Sequence, residues 1–134
     1  MSRKVLFASL VLPFLLALVA SAQPAIEEIK RVKPKPSVLK DAKLRKPLVI
    51  GSAEEAGKHF GKDALAALKK QVDFEKQIVL VFAWRGSGQD RLTYTVLESH
   101  PEQVPFKYKP GRTRDLRPHI HVYALRSNVR WTAP

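Results

Sequence analysis

Residues 77–84 read QIVLVFAW, a run whose β-branched and aromatic content predicts a strand and which carries no polar side chain after Gln77. Successive strand residues point to opposite sides, so this run needs apolar cover above and below. It is read as a central strand covered at least in part on both sides. Phe74, Ile78, Leu80, Phe82 and Trp84 are accordingly assigned to the core.

One cover is legible upstream. A short apolar segment, 48-LVI-50, ends at Gly51, and Ser52 with Glu55 three residues later has the form of a helix capping box. Ala56, Phe60, Leu65, Leu68 and Val72 follow at near-helical spacing, with Lys58, Lys62, Lys69 and Lys70 on the other side. Gly57 and Gly61 weaken the first half, which predicts a break near Gly61. His59, among lysines, is expected in solvent.

The downstream half alternates as sheet does. Residues 85–90, RGSGQD, are expected to turn a hairpin; two glycines around a serine suggest an anion-binding nest, but neither a following helix nor a GK[ST] ending is present. In 91-RLTYTVLE-98, Leu92, Tyr94 and Val96 alternate with threonines. In 104-VPFKYK-109, Val104, Phe106 and Tyr108 oppose Lys107 and Lys109, and Pro105 argues for an edge position. In 119-HIHVYALR-126, Ile120, Val122 and Ala124 share one face and His119, His121 and Tyr123 the other. Trp131 is expected to dock on the core. The predicted fold class is α+β: an antiparallel sheet of about four or five strands with one helical segment, subject to the break at Gly61, packed on it.

The N-terminus sets the compartment. Arg3 and Lys4 precede an apolar run from Val5 to Leu18, and Ala20-Ser21-Ala22 supplies small residues, the layout of a secretory signal peptide cleaved after Ala22. An uncleaved membrane anchor is the alternative for a stretch of this length. The predicted location is secreted or periplasmic. Residues 23–46 carry eight lysines and arginines against Glu27, Glu28 and Asp41, with Pro34 and Pro36 between, and are read as an extended basic linker. Residues 47–134 are read as one α+β domain.

The chain has no cysteine, which excludes disulfides, a thiol nucleophile, thiolate metal ligands and lipidation on cysteine. Removing residues 1–22 takes away two bases and no acid, so the charge falls from +12 to +10 over 112 residues. A positive field outside the cytoplasm attracts anionic polysaccharides, acidic lipid head groups and acidic protein surfaces without reading bases. The expected partner is an envelope protein or an anionic polymer, with no specific nucleic acid; peripheral contact with a membrane surface is left open, as is the oligomeric state.

The densest cluster of functional residue types is 109-KPGRTRDLRPHIHVYAL-125. Arg112, Arg114 and Arg117, with Lys107, Lys109 and Arg85 if the strands converge, have the donor geometry for a carboxylate, phosphate or sulfate. Alternatively Asp115 pairs with one arginine and the others stay in water, which contributes little. His119 and His121, two apart on a strand, share a face and are a candidate pair of zinc or copper ligands, with a third drawn from His100, Asp90, Asp115 or Glu98. Against that stand the nearby arginines and a reading in which the histidines hydrogen-bond across strands. The binding candidates are therefore Arg85, Arg112, Arg114, Arg117, His119 and His121. No cofactor is expected. Ser87, His100 and Asp90 can be assembled only by invention into a catalytic triad, and no GxSxG elbow is present, so the chain is read as a non-enzyme.

The stretch 72-VDFEKQIVLVFAWRGSGQDRLTYTV-96 resembles, in outline, the small exported domain at the C-terminus of PrcB-like protease-complex stabilising proteins. Asp73, Phe74 and the hairpin Gly86 or Gly88 carry the likeness, which extends over about residues 47–127. Gln89-Asp90-Arg91 stands where that family often has Gly-Gly-Tyr, and the GRTRDLRP loop is outside its pattern. The resemblance implies a non-catalytic, protein-binding, β-rich domain.

Overall fold

The computed structural model describes residues 23–134; the expected signal peptide, residues 1–22, lies outside the described residues. The described elements are β1 (Ile26–Glu28), α1 (Val38–Asp41), β2 (Leu48–Ile50), α2 (Ala53–Ala56), α3 (Lys62–Gln71), β3 (Gln77–Gly86), β4 (Arg91–Tyr94), β5 (Gln103–Lys109), β6 (Arg117–Arg126) and β7 (Arg130–Thr132). None of the helices among the described residues is long and apolar enough to cross a membrane.

The fold is α+β. An antiparallel four-stranded sheet has the order β1-β6-β3-β2, and a second sheet of three strands has the order β4-β5-β7. β3 is central: it pairs with β6 over its whole length, from Gln77 opposite Arg126 to Gly86 opposite Arg117, and with β2 at Val79 to Val81. Its two faces belong to two different cores. Val79, Val81 and Ala83 lie with Val122, Ala124, Phe60, Leu68 and Val38 beneath the helices. Leu80 and Phe82 lie with Tyr123, Leu125, Leu92, Val104 and Phe106 between the two sheets. Both faces of QIVLVFAW are therefore dry because the strand is the middle of three layers. Phe74, Ile78 and Trp84 pack against these clusters while partly exposed, as does Trp131.

The helices form as their caps dictate. Ser52 Oγ accepts the Glu55 amide at 3.1 Å, and Glu55 reaches back to the amide of Gly51, also at 3.1 Å, one residue before the usual capping-box target. α2 ends at Ala56 and α3 restarts with Gly61 as its N-cap, so the chain breaks where the glycines lie. Asp73 then turns the chain into β3: its Oδ1 accepts the Glu75 amide, while its own amide donates to the buried side chain of Gln77 at 2.9 Å.

Several expectations are corrected. Residues 23–46 are not a solvated linker. Ala25, Ile26, Ile29, Val32, Val38 and Ala42 are buried, and β1 adds to the edge of β6. Their apolar positions are separated by lysines and prolines that dominate composition without preventing burial. His59 is not solvated: its side chain is 18% exposed and lies 3.9 Å from Asp41. Residues 87–90 do not form a ladder hairpin, because β3 and β4 belong to different sheets and the turn carries the chain from one to the other.

Pro105 is interior rather than at an edge. β5 pairs with β4 on one side and, in parallel, with β7 on the other. Opposite Thr95, Pro105 accepts the threonine amide at 3.3 Å and has no N–H to return, so regular pairing stops after Tyr94 and resumes as a single bridge at Leu97 and Gln103. The missing donor shortens the strand expected over 91–98, and leaves Val96 and Leu97 40% and 49% exposed.

Candidate functional site

The crossing turn 87–90 and the loop 110–116 are fastened to each other. Asp90 lies between them: one carboxylate oxygen accepts the indole N–H of Trp84 at 3.0 Å and the other the amide of Gly111 at 2.7 Å. Ser87 Oγ bonds the hydroxyl of Thr113 and accepts the amides of Thr113 and Gln89, each at 3.2 Å. Asp115 accepts the amide of Gly88 at 3.2 Å and Arg117 Nε at 2.7 Å. The glycines are required by close approach. A Cβ on Gly111 would lie 2.4 Å from Ser87 Oγ and 2.7 Å from the Gln89 carbonyl carbon, and one on Gly88 2.6 Å from Asp115.

These bonds fix the charge states. The Gly111 amide, followed by the Trp84 indole, holds Asp90 below the usual carboxylate range despite its burial. The Thr113 hydroxyl and then the Gly88 amide bring Asp115 down to about 2. Both are anions at neutral pH, and both are occupied by the loops they tie.

Around this fastening is a groove of about 640 Å³, lined by Arg91, Lys109 and Arg112 together with Asp90, Gly88, Gln89 and Gly111. Arg91 and Lys109 are register partners on β4 and β5, alternating with inward-facing Leu92 and Tyr108, so two cations stand side by side on the outer face. Lys107 lies two residues along on the same face. The close acid–base pairs among the described residues are His59–Asp41, Arg117–Asp115, His121–Glu28 and Arg126–Glu102. Arg91, Lys107, Lys109, Arg112 and Arg114 thus have no described carboxylate within 4.0 Å.

The expected arginine clamp is only partly assembled. Arg112 lines the groove; Arg117 is taken by Asp115; Arg114 is exposed on the loop beside Leu116, which is 71% exposed. Arg85 follows Val81 and Ala83 in the same row of β3, and so leaves on the helix-bearing face, away from the groove. Arg91 was not among the sequence candidates. Only the β4–β5 register puts it beside Lys109.

No protein-family model, curated protein or solved structure matches this chain.

The histidines belong to a stack rather than to the groove. His119 lies opposite Trp84 in the β3–β6 register, and their rings stack at 4.9 Å and 11°. His121 stacks on the same indole at 5.3 Å, and Tyr123 continues the row, 6.4 Å from His121 and nearly parallel to it. His119 Nε2 meets the Ser87 carbonyl at 2.7 Å, which makes that nitrogen the protonated one. Burial lowers the pKa of His121, opposed by Glu28, whose carboxylate lies 3.9 Å from Nδ1. Among the described residues no group of three or more His, Cys, Asp and Glu side chains is placed to hold a metal ion. Nor does a described hydrogen bond link the side chains of Ser87, Asp90 and His100; Ser87 and Asp90 are engaged in the fastening.

Proposed function

We propose that this protein is an exported, non-catalytic binding domain that holds an anionic polymer along the outer face of its second sheet and the adjoining groove. The observation that carries this reading is the pairing of Arg91 with Lys109, with Arg112 lining the same groove and no described carboxylate within 4.0 Å of any of the three; Asp90, the acid of the groove, is held by Trp84 and Gly111. Like charges directly opposite each other destabilise a sheet. A polyanion laid across them removes that repulsion and gains charge-assisted hydrogen bonds.

The outer face offers Thr93, Thr95 and Gln103 beside the cations and no aromatic ring, since Tyr94, Phe106, Tyr108 and Trp131 alternate inward. Recognition therefore rests on charged ester or carboxylate groups, not on stacked sugars or bases. The apolar run and small-residue exit of residues 1–22 support export, and the likeness of residues 72–96 to PrcB-like domains supports a binding role rather than a catalytic one.

Retention on a dextran sulfate matrix across a salt series tests the reading. The logarithm of affinity should fall linearly with that of salt, and Arg91→Ala, Lys109→Ala and Arg112→Ala should each reduce the slope by about one. Arg85→Ala should leave it unchanged. Equal losses from all four, or retention indifferent to salt, would sink the proposal.

A further inference from the structure

A second surface lies on the other sheet. β1 covers β6 only at Tyr123 to Leu125, so the first five residues of β6, Arg117 to His121, run beyond its end. On the β1 side, Val122 accepts the Ile29 amide at 2.8 Å and Arg126 donates to Ala25 at 3.1 Å. Even-numbered residues of β6 therefore face this edge, and odd-numbered ones face β3. Ile120 is the next even position. Its N–H and C=O point to the edge and have no described partner, because the chain turns away from β6 after Ile29.

The chain that turns away makes the opposite wall. Val32, Pro34 and Pro36 stand across from Pro118 and Ile120 and enclose about 490 Å³, with Lys30 and Lys33 also lining the space. Glu28, the acid at this site, is turned towards His121. The slot thus combines an unused donor and acceptor at ladder spacing, an apolar lining, and two cations.

We propose that this slot binds an extended acidic peptide segment of a partner protein, which adds to β6 as a strand in line with β1. The backbone pair of Ile120 fixes the strand, the apolar wall takes its inward side chains, and Lys30 and Lys33 take its carboxylates. A second copy of this chain is a poor occupant. Two β6 edges paired about Ile120 would set Pro118, which has no N–H, opposite Val122, whose carbonyl already serves Ile29. This inference is independent of the polyanion face, which lies on the other sheet.

The test uses the full-length chain, isotope-labelled, with the synthetic peptides acetyl-EVEVEV-amide and acetyl-KVKVKV-amide. The Ile120 amide should exchange rapidly in the free protein, and at least tenfold more slowly with the acidic peptide, while the basic peptide leaves it unchanged. Because the readout is this one amide, acidic peptide held on the second sheet does not mimic the result. Ile120→Pro removes the donor without touching the β3 ladder and should abolish binding with the fold retained; if that variant does not fold, the wild-type exchange data decide. K30E/K33E should reverse the peptide preference. An Ile120 amide already protected in the free chain, unchanged by millimolar acidic peptide, or protected only as protein concentration rises would overturn the proposal, the last in favour of self-association.

Discussion

Trp84 donates its indole N–H to Asp90 at 3.0 Å, so the last inward-facing side chain of β3 is tied to the residue just before the first strand of the second sheet. The same carboxylate holds Gly111, and one buried acid thereby positions the sheet crossing, the arginine loop and the groove between them.

Asp90→Asn should loosen all three. The amide can accept from Trp84 or from Gly111 but presents an NH₂ to the other, leaving one donor unsatisfied. A lower melting temperature, altered tryptophan fluorescence and weaker polyanion retention are expected together. Gly111→Ala should act on the same loop by overlap with Ser87 and Gln89, destabilising by roughly 1–3 kcal/mol in chemical denaturation.

Lys109→Glu separates stability from function. An opposite-charge pair with Arg91 should stabilise the protein by roughly 0.2–1 kcal/mol relative to the like-charge pair, while retention on the anionic matrix falls. A variant that gained stability and kept its retention would show that the Arg91–Lys109 face is not where the polymer lies.

The N-terminal segment should behave as core. Ile29→Ala removes a side chain that is 3% exposed and should destabilise by about 2–5 kcal/mol, whereas Lys30→Ala, exposed beside it, should change stability by less than about 0.5 kcal/mol. Phe82→Ala, at the contact with Phe106 and Tyr123 between the sheets, should destabilise by about 3–5 kcal/mol.

Two pH windows follow from the shifted groups. His121 binds its proton less readily folded than unfolded, so its contribution is complete above pH 6.5 and is lost as pH falls below that value. His121→Phe, which keeps a ring in the stack, should flatten the stability profile there. Asp115, lowered from 3.8 to about 2, contributes above pH 3.8 and loses that contribution as pH falls towards 2. Asp115→Asn should remove this acid step, as read from thermal melts across the pH series.

Much of the local structure was legible because it depends on near neighbours. Ser52 and Glu55 marked a helix start, Gly61 its interruption, and the alternation in 119–126 set Ile120, Val122 and Ala124 against His119, His121 and Tyr123. What escaped was pairing. The charged residues between Ile26, Ile29 and Val32 hid a strand, and the step from Gly86 to Asp90 read as a hairpin when it changes sheets.

By itself, the sequence determined that a strand dry on both faces must lie inside, that no thiol chemistry operates, and that the chain is strongly basic. Only the tertiary structure decided that Arg91 stands beside Lys109, that Arg85 and Arg117 turn elsewhere, and that Ile120 keeps an open edge. The reason is range. Periodicity and capping act over two to four residues, whereas register and sheet order are fixed by which distant apolar faces bury each other.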